Sequence, residues 1–445
     1  METENLNEIK ILIAENIPSL NKGEATILGG MQRSFERLGN VHLSMFSENP
    51  EIDMKNYPDI NIIDTRKCFK LSNCKSNINK IASTFYVIIT HSVFLFVYRA
   101  IGEDVRKIFK GELWEKYINS DIIIVGHDGA FGLGGGIVGS PLYFQPLFMT
   151  LFAKALKKPK IVLYGGSIPE LTKPNLNLFR KPFDTILKTG LNNIDLIILR
   201  TNSSYNRLIE LKVSNSNVLV LPDLGYLLRP SNSTKIEQIM IDEGINDKYP
   251  LVGIIITRAN AQKAYPDLAP KKSYEKHIRL IAEIVDYLID EYGAFVVFIP
   301  HCIGIYEELD DRLVARDIIN LCNNKYAIKS IDTEYSAEEL KGLLGKIDLV
   351  VSERIHAAVN AASMGTPTLV ITSKSDERKD IINMIDEDAA IDLESLEKRL
   401  FLHRLSILND PKKLEEKEDF LNKNLVEINE KTKLYALSIK DIVRV

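Results

Sequence analysis

The sequence predicts an α/β protein of two Rossmann-like domains facing each other across a cleft, each a parallel sheet flanked by helices. Three observations carry that expectation. Apolar runs rich in Ile and Val recur between longer helical stretches. The runs are continuous rather than alternating, which marks strands covered on both faces, as in parallel sheets sandwiched by helices. And 445 residues exceed what one core usually holds, so two domains of roughly 200 residues are the natural division.

The first set of runs is KILIAE (10–15), VHLSMF (41–46), DIIIVG (121–126), KIVLYG (160–165), DLIILR (195–200) and NVLVLP (217–222). A second set is LVGIII (251–256), AFVVFIP (294–300), DLVVS (348–352) and TLVIT (368–372). Between them lies a polar stretch, 228–250, bracketed by Pro230 and Pro250. The expected domains are therefore 1–228, with an insertion at about 65–118, and 229–400, followed by a helical segment over 401–445. In that last segment Asp410 as N-cap and Pro411 at the first position predict a helix over 410–435, with Leu421, Leu425 and Ile428 as its apolar stripe.

Composition is that of a soluble globular chain, 45% hydrophobic and 26% charged. The net charge of −4 argues against nucleic acid as main partner, because phosphate backbones demand a concentrated positive surface. Cys68, Cys74, Cys302 and Cys322 are scattered without C-x-x-C spacing, which speaks against a disulfide framework or a zinc site and for a reducing compartment. The polar opening METENLNEIK shows no secretory signal. The stretch 81–98 carries no formal charge but contains Ser83, Thr84, Thr90, His91 and Ser92. It reads as a buried domain helix, a helix at a membrane interface, or a span, and its composition leaves all three open.

Ligands of open parallel sheets bind beyond the carboxyl ends of the strands, where loops lead into helix N-termini with unpaired N–H groups. VVSERIHAAVNAASMGTPTLVI (350–371) fits that rule. Ser336 and Glu339 form a capping-box pattern for a short helix ending near Gly345, and DLVVS follows as a strand. An alanine-rich helix over 355–363 is then closed by Gly365 and Pro367. Ser352 is placed to cap that helix, Arg354 to offer a fork to an oxyanion, and His356 lies on the first turn.

The bland alternative is a cap, a surface arginine and a core histidine. Asn21, Gly23 and Glu24 sit in a second strand–loop–helix stretch, which lacks the phosphate-loop pattern. His127 and Asp128 open the glycine-dense exit 125–139 and suit sugar hydroxyls; a nicotinamide site there lacks the acidic residue at the right distance. Arg200, Arg258, His301 and Lys374 each follow a strand, and such cations in a negative protein point to an anionic small-molecule substrate.

With these residues in view, the chain resembles the polysaccharide pyruvyl transferase family. The features that carry the resemblance are, in order, N-x-G-E at 21–24 and the glycine-rich exit at 126–136, then R-x-x-x-S at Arg200 and Ser204 and LPD at 221–223. S-x-R-x-H at 352–356, A-x-x-x-G-x-P at 361–367 and Lys374 complete it. The family's usual pattern has Asp where Glu24 stands and G-G-G where this chain has GHDGAFG.

The resemblance implies a GT-B-like fold. It also implies transfer of the enolpyruvyl unit of phosphoenolpyruvate to a sugar of a cell-envelope polysaccharide, or of its lipid-linked precursor, as a cyclic ketal. Its implied roles are His356 and Arg354 in catalysis, Ser352, Arg200, Arg258 and Lys374 on the donor, and Asn21, Gly23, Glu24, His127 and Asp128 on the acceptor. No metal or cofactor is called for besides phosphoenolpyruvate as co-substrate. The expected location is cytoplasmic, with peripheral contact at the inner membrane face through 81–98. Two other readings remain: a GT-B-like nucleotide-sugar glycosyltransferase, and a related transferase or polysaccharide-binding module that does not transfer pyruvate.

Overall fold

The computed structural model describes residues 8–68, 77–127, 149–151, 155–156, 158–168, 177–248, 250–304, 309–373, 379–383, 389–393 and 411–443. Contacts divide the chain into two compact units. The first comprises Met1–Ser19, Gln32–Asp223 and Lys431–Val445; the second comprises Leu20–Met31 and Leu224–Glu430. Asp128, Lys374, Cys74 and Asp410 lie outside the described residues.

In the first unit the described strands are β1 (Ile9–Asn16), β2 (Val41–Ser47), β3 (Asn61–Asp64), β4 (Ile122–Val125), β5 (Lys160–Gly166), β6 (Leu196–Leu199) and β7 (Val218–Val220). They form one sheet in the order β3-β2-β1-β4-β5-β6-β7, and every pairing is parallel. The second unit holds β8 (Leu251–Ile255), β9 (Phe295–Phe298), β10 (Ile328–Ser330), β11 (Leu349–Ser352), β12 (Thr368–Thr372) and β13 (Ala390–Asp392). Their order is β10-β9-β8-β11-β12-β13, again parallel throughout. Both orders are doubly wound, so each sheet has a switch point where strand order reverses, between β1 and β4 and between β8 and β11.

Each apolar run read from the sequence is a strand, and its burial explains the absence of alternation: Ile122 to Val125 and Leu196 to Leu199 are buried at every position. The sequence reading missed β3, β10 and β13. All are short edge strands of mixed composition (NIID, IKS, AID), too brief to give a periodic signal.

The expected domain limits differ from the observed units in two places. The helix Lys22–Phe35 begins in the second unit, and the helix Pro411–Val443 ends in the first. In that last helix Leu421 and Ile428 are buried with Tyr226 and Val359 in the core of the second unit, and Leu425 packs against the same cluster. Two turns beyond Ile428, Tyr435 stacks edge-on against Tyr164 at 5.0 Å and donates to the carbonyl of Pro222 at 3.0 Å, both in the first unit. Contiguous sequence blocks cannot show such crossings, because hydrophobic patterning says that a face is buried but not against what.

The uncharged stretch 81–98 lies within a helix, Asn77–Ile101. Val87, His91, Phe94, Leu95 and Tyr98 pack into the core of the first unit, where Phe94 stacks on Trp114 at 4.5 Å. The His91 ring is satisfied on both sides. Nδ1 lies 2.9 Å from the carbonyl of Val87, which can only accept, so Nδ1 carries the proton and Nε2 accepts from the hydroxyl of Tyr117 at 3.1 Å. Burial pushes this imidazole down to about 4. The opposite face is exposed: Phe85 at 60%, Ile89 at 58%, Val93 at 47% and Phe96 at 77%.

Candidate functional site

The switch point of the second unit gathers most of the polar groups singled out in the sequence. β11 ends at Ser352, and the chain passes Glu353 and Arg354 into the helix Ile355–Ala362. The Ser352 hydroxyl does not cap that helix as expected. It accepts from the Arg354 N–H at 3.0 Å and donates to the Arg354 carbonyl at 2.8 Å, which fixes the backbone of Arg354 and leaves the helix N-terminus without a side-chain cap. Glu353 turns inward. Its Oε2 accepts from the N–H of Thr257 beyond β8 at 3.0 Å, and its Oε1 lies 2.7 Å from His277 Nε2, both side chains fully buried. Burial works against charge on His277, but Glu353 outweighs it and the imidazole is raised. This pair ties the β8 and β11 exits to the helix Pro270–Tyr292.

Beyond β9, Asp311 organises the other wall. Its Oδ2 accepts from the N–H groups of His301 (3.1 Å) and Cys302 (2.9 Å), and its Oδ1 accepts from Arg354 Nη2 at 2.6 Å. Burial raises the Asp311 carboxyl, while Arg354 and the two amides pull it back. The same burial opposes the charge on Arg354, and Asp311 offsets it, so the guanidinium stays charged. Cys302 is buried, and its thiol is pushed up to about 11, chiefly by desolvation.

The start of the helix Lys22–Phe35 joins this wall. Lys22 N–H donates to the His301 carbonyl and Ile303 N–H to the Leu20 carbonyl, each at 2.9 Å, forming a short antiparallel bridge. Thr26 Oγ1 accepts from Asn360 Nδ2 at 2.9 Å, which pins this helix to the one that follows Arg354. Asn21 holds the turn: its Oδ1 accepts from Gly23 N–H at 3.2 Å, and its Nδ2 donates to Glu24 Oε1 at 2.9 Å. A Cβ at Gly23 would stand 3.1 Å from His356 Nδ1, so only glycine lets this turn lie flat against the imidazole. Two motifs more than three hundred residues apart, N-x-G-E and S-x-R-x-H, thus meet within one unit.

Two more basic residues, Lys22 and His301, flank the meeting point, and Arg258 follows on the β8 exit. Lys22 is 3% exposed and reaches Glu334 at 2.9 Å. His301 is 1% exposed, and its imidazole is driven down to about 3 by burial and then by the charges of Arg354, His356 and Lys22. Neither nitrogen of the His301 ring, nor Arg354 Nε, has a hydrogen-bond partner among the described residues. Arg258 stands over the Tyr274 ring at 4.5 Å on the β8 exit. Among the described residues no group of His, Cys, Asp and Glu is placed to hold a metal ion.

The first unit looks different. Arg200, expected on the donor, is fully buried: Nε donates to Ser167 Oγ at 2.9 Å and Nη1 to Asp223 Oδ2 at 2.8 Å. Ser204 accepts from the Ile168 N–H at 2.9 Å and from the Thr201 hydroxyl at 2.8 Å. The R-x-x-x-S and LPD motifs therefore lock the β5, β6 and β7 exits together, and Arg200 has no surface to offer a ligand. That is a correction to its expected role. At this unit's switch point Glu15, at the end of β1, accepts from the N–H of Gly126 and pairs with Nδ1 of His127.

Sequence reasoning overlooked Glu15, Lys22, His277, Asp311 and Glu353. Lys22 and Glu353 stood inside motifs already quoted. Asp311 and His277 gave no signal, since each acts through a fold contact with a residue far along the chain.

Comparisons with known proteins bear on the fold and the family. Solved structures similar to the chain include UDP-GlcNAc 2-epimerase from Neisseria meningitidis bound to UDP-GlcNAc, at 14% identity and TM-score 0.58, covering 98% of this chain and all of that one. Anabaena HepE in complex with UDP-glucose matches at 10% identity and TM-score 0.54, covering 98% of each chain. These likenesses show the GT-B-like fold of two parallel-sheet domains. A curated relative, the amylovoran biosynthesis protein AmsJ of Erwinia amylovora, is 22% identical over 254 residues, 55% of this chain. The chain thus spans about half the length of that relative, 56%. The family profile for polysaccharide pyruvyl transferase matches residues 21–375, from the asparagine of N-x-G-E to just past the last strand exit of the S-x-R-x-H block, and the chain belongs to that family.

Proposed function

We propose that the protein transfers the pyruvyl unit of phosphoenolpyruvate onto a sugar of a polysaccharide, or of its lipid-linked precursor, as a cyclic ketal. One observation carries this reading. At the switch point of the second unit Lys22, His301, Arg354 and His356 converge where the donor groups of His301 and of Arg354 Nε have no partner among the described residues. Such a cluster suits a compact polyanion with a phosphate and a carboxylate.

Arg354, Lys22 and Arg258 would hold those charges, aided by the uncapped amides of the helix's first turn from Ile355. Lys374, beyond the described residues, would add to them. His356, set against the N-x-G-E turn, would protonate the methylene carbon. The first acceptor hydroxyl then adds to the oxocarbenium-like carbon, phosphate leaves, and the second hydroxyl closes the ketal. Of the two hydroxyl protons, one replaces that given to the methylene and the other leaves with phosphate. Arg354 and Lys22 stabilise the departing charge. Asn21 and Glu24 in the second unit are proposed for acceptor hydroxyls; separately, His127, held by Glu15 in the first unit, is proposed for sugar hydroxyls.

The exposed apolar face of helix Asn77–Ile101 supports a peripheral membrane contact; the proposed location is cytoplasmic, at a lipid surface that carries the acceptor. The stretch Phe85–Lys107 is long and apolar enough to cross a bilayer, yet its His91–Phe94 face packs in the core of the first unit. Contact in the interface plane fits both facts. Phe85→Ser with Phe96→Ser should release the protein from vesicles; unchanged partitioning would reject the contact.

The donor is tested by melting temperature, since a ligand that prefers the native state raises it. A saturable rise with phosphoenolpyruvate, lost in Arg354→Ala, is expected. A rise with UDP or GDP and none with phosphoenolpyruvate would assign the chain to nucleotide-sugar glycosyl transfer instead.

A further inference from the structure

Most buried polar side chains of this protein are satisfied, as buried groups generally must be. His301 is an exception that the reaction sketched above does not use. It lies just beyond β9, and its main chain is held on both sides, N–H to Asp311 and carbonyl to Lys22. Its backbone therefore has a fixed place. The ring is 1% exposed, and both its nitrogens lack a partner among the described residues. Arg354, beyond β11 on the far side of β8 and linked to His301 through Asp311, has the same defect at Nε while its Nη2 is committed to Asp311. An orphaned imidazole and an orphaned guanidinium N–H, with Lys22 and His356 close enough to act on the ring, are a cost to the empty protein unless something polar enters.

We propose that His301 and Arg354 Nε form one oxyanion subsite, in which a single carboxylate or phosphate oxygen of the ligand accepts from both N–H groups. This deepens the donor reading and rests on it for the identity of the ligand. Lys22 and Arg354 supply the charge. Their field, with burial, keeps the His301 ring neutral, so it contributes one directed N–H rather than a further cation, and Asp311 and Glu334 hold the flanking cations in place. The role of His301 is recognition of oxygen geometry, and it is separate from proton delivery at His356.

The test uses the fact that an unpartnered buried polar group destabilises. His301→Leu should leave the melting temperature of the ligand-free protein unchanged or raise it, because nothing in the empty site is lost. The same change should weaken phosphoenolpyruvate binding by roughly ten- to a hundredfold, the range for a hydrogen bond to a charged group. His301→Met is the second variant, able to fill irregular space should leucine not fold. Calorimetric titrations of both with inorganic phosphate and with oxalate locate the oxygen: loss for phosphate places the phosphate in the subsite, loss for oxalate places the carboxylate. In the parent, the imidazole nitrogens of His301 should shift in the NMR spectrum as the same anion is added.

Unchanged affinities in the variants, with a silent His301 resonance in the parent, would overturn the proposal. If the parent binds neither phosphoenolpyruvate nor UDP but phosphate still moves His301, the donor reading fails while the subsite stands.

Discussion

Arg200 and Arg354 look alike in the sequence, each an arginine at the end of an apolar run, and the structure gives them opposite situations. Arg200 is sealed inside the first unit with Ser167 and Asp223. Arg354 keeps 23% of its side chain exposed, has one carboxylate partner, and leaves Nε unused. His91 and His301 repeat the contrast: both are buried and both are driven far below the ordinary imidazole range, but only His91 has both nitrogens bonded within the protein. The difference teaches how to separate scaffold from site among buried polar groups. Closed networks hold Arg200 and His91 in the first unit, whereas the network around His301 and Arg354 in the second lacks partners among the described residues. For these four residues burial does not distinguish the two situations; satisfaction does.

The largest expected effect comes from breaking the closed pair. Asp223→Ala leaves the Arg200 guanidinium buried without its counter-charge and should cost about 3–5 kcal/mol of stability in urea unfolding. A loss under about 1 kcal/mol would mean that the first unit relaxes around the vacancy and that the pair is not scaffold. Arg354→Lys tests the open partner. It keeps a positive charge but loses the fork, so activity should fall about a hundredfold or more while the melting temperature changes little. A variant that melts like Asp223→Ala would erase the contrast drawn between the two arginines.

The histidines sharpen it further. At neutral pH, His91→Leu strips Tyr117 and the Val87 carbonyl of their partner and should cost about 1–3 kcal/mol, whereas His301→Leu strips nothing. Under acid the two converge. Each has a folded-state pKa, about 4 for His91 and about 3 for His301, below the ordinary value of 6.5 that the unfolded chain restores. The unfolded state therefore binds the extra proton in that window. Stability is full above about 6.5 and declines as pH falls toward 4 and 3. Either leucine variant should flatten its share of that decline in denaturation measured from pH 7 to pH 3. A parent whose stability is flat over that range would refute both buried neutral rings.

Much of this was legible in the sequence because parallel sheets write themselves as unbroken Ile/Val runs. The capping box at Ser336 and Glu339 forms as read, with both of its reciprocal hydrogen bonds, and Gly345 closes that helix. The site was legible where a strand exit coincided with polar residues, as at Arg354 and His356. It was not legible where function depends on what a side chain meets across the fold. Nothing local separates Arg200 from Arg354; Asp223, which disarms the one, and Asp311, which orients the other, stand 23 and 43 residues away. The assignment of Asn21 to Glu24 to the first half failed for the same reason, since their partners are His301, Cys302 and His356.

The smallest change tests that long-range meeting. At Gly23 an added Cβ would lie 3.1 Å from His356 Nδ1 and 3.4 Å from its Cβ, closer than a methyl normally approaches. Gly23 lies in the first turn of the helix Lys22–Phe35 and has no left-handed φ, so alanine brings no backbone strain and even favours the helix, by up to about 1 kcal/mol. The only cost is a push of a few tenths of an ångström on the imidazole. Gly23→Ala should therefore keep the parent's melting temperature within a few degrees while lowering kcat about tenfold, with KM for the donor little changed, since proton transfer depends steeply on position. An unchanged kcat would detach the N-x-G-E turn from His356 and leave it as a helix start alone. A loss confined to KM would shift the role of His356 from proton transfer to holding the donor.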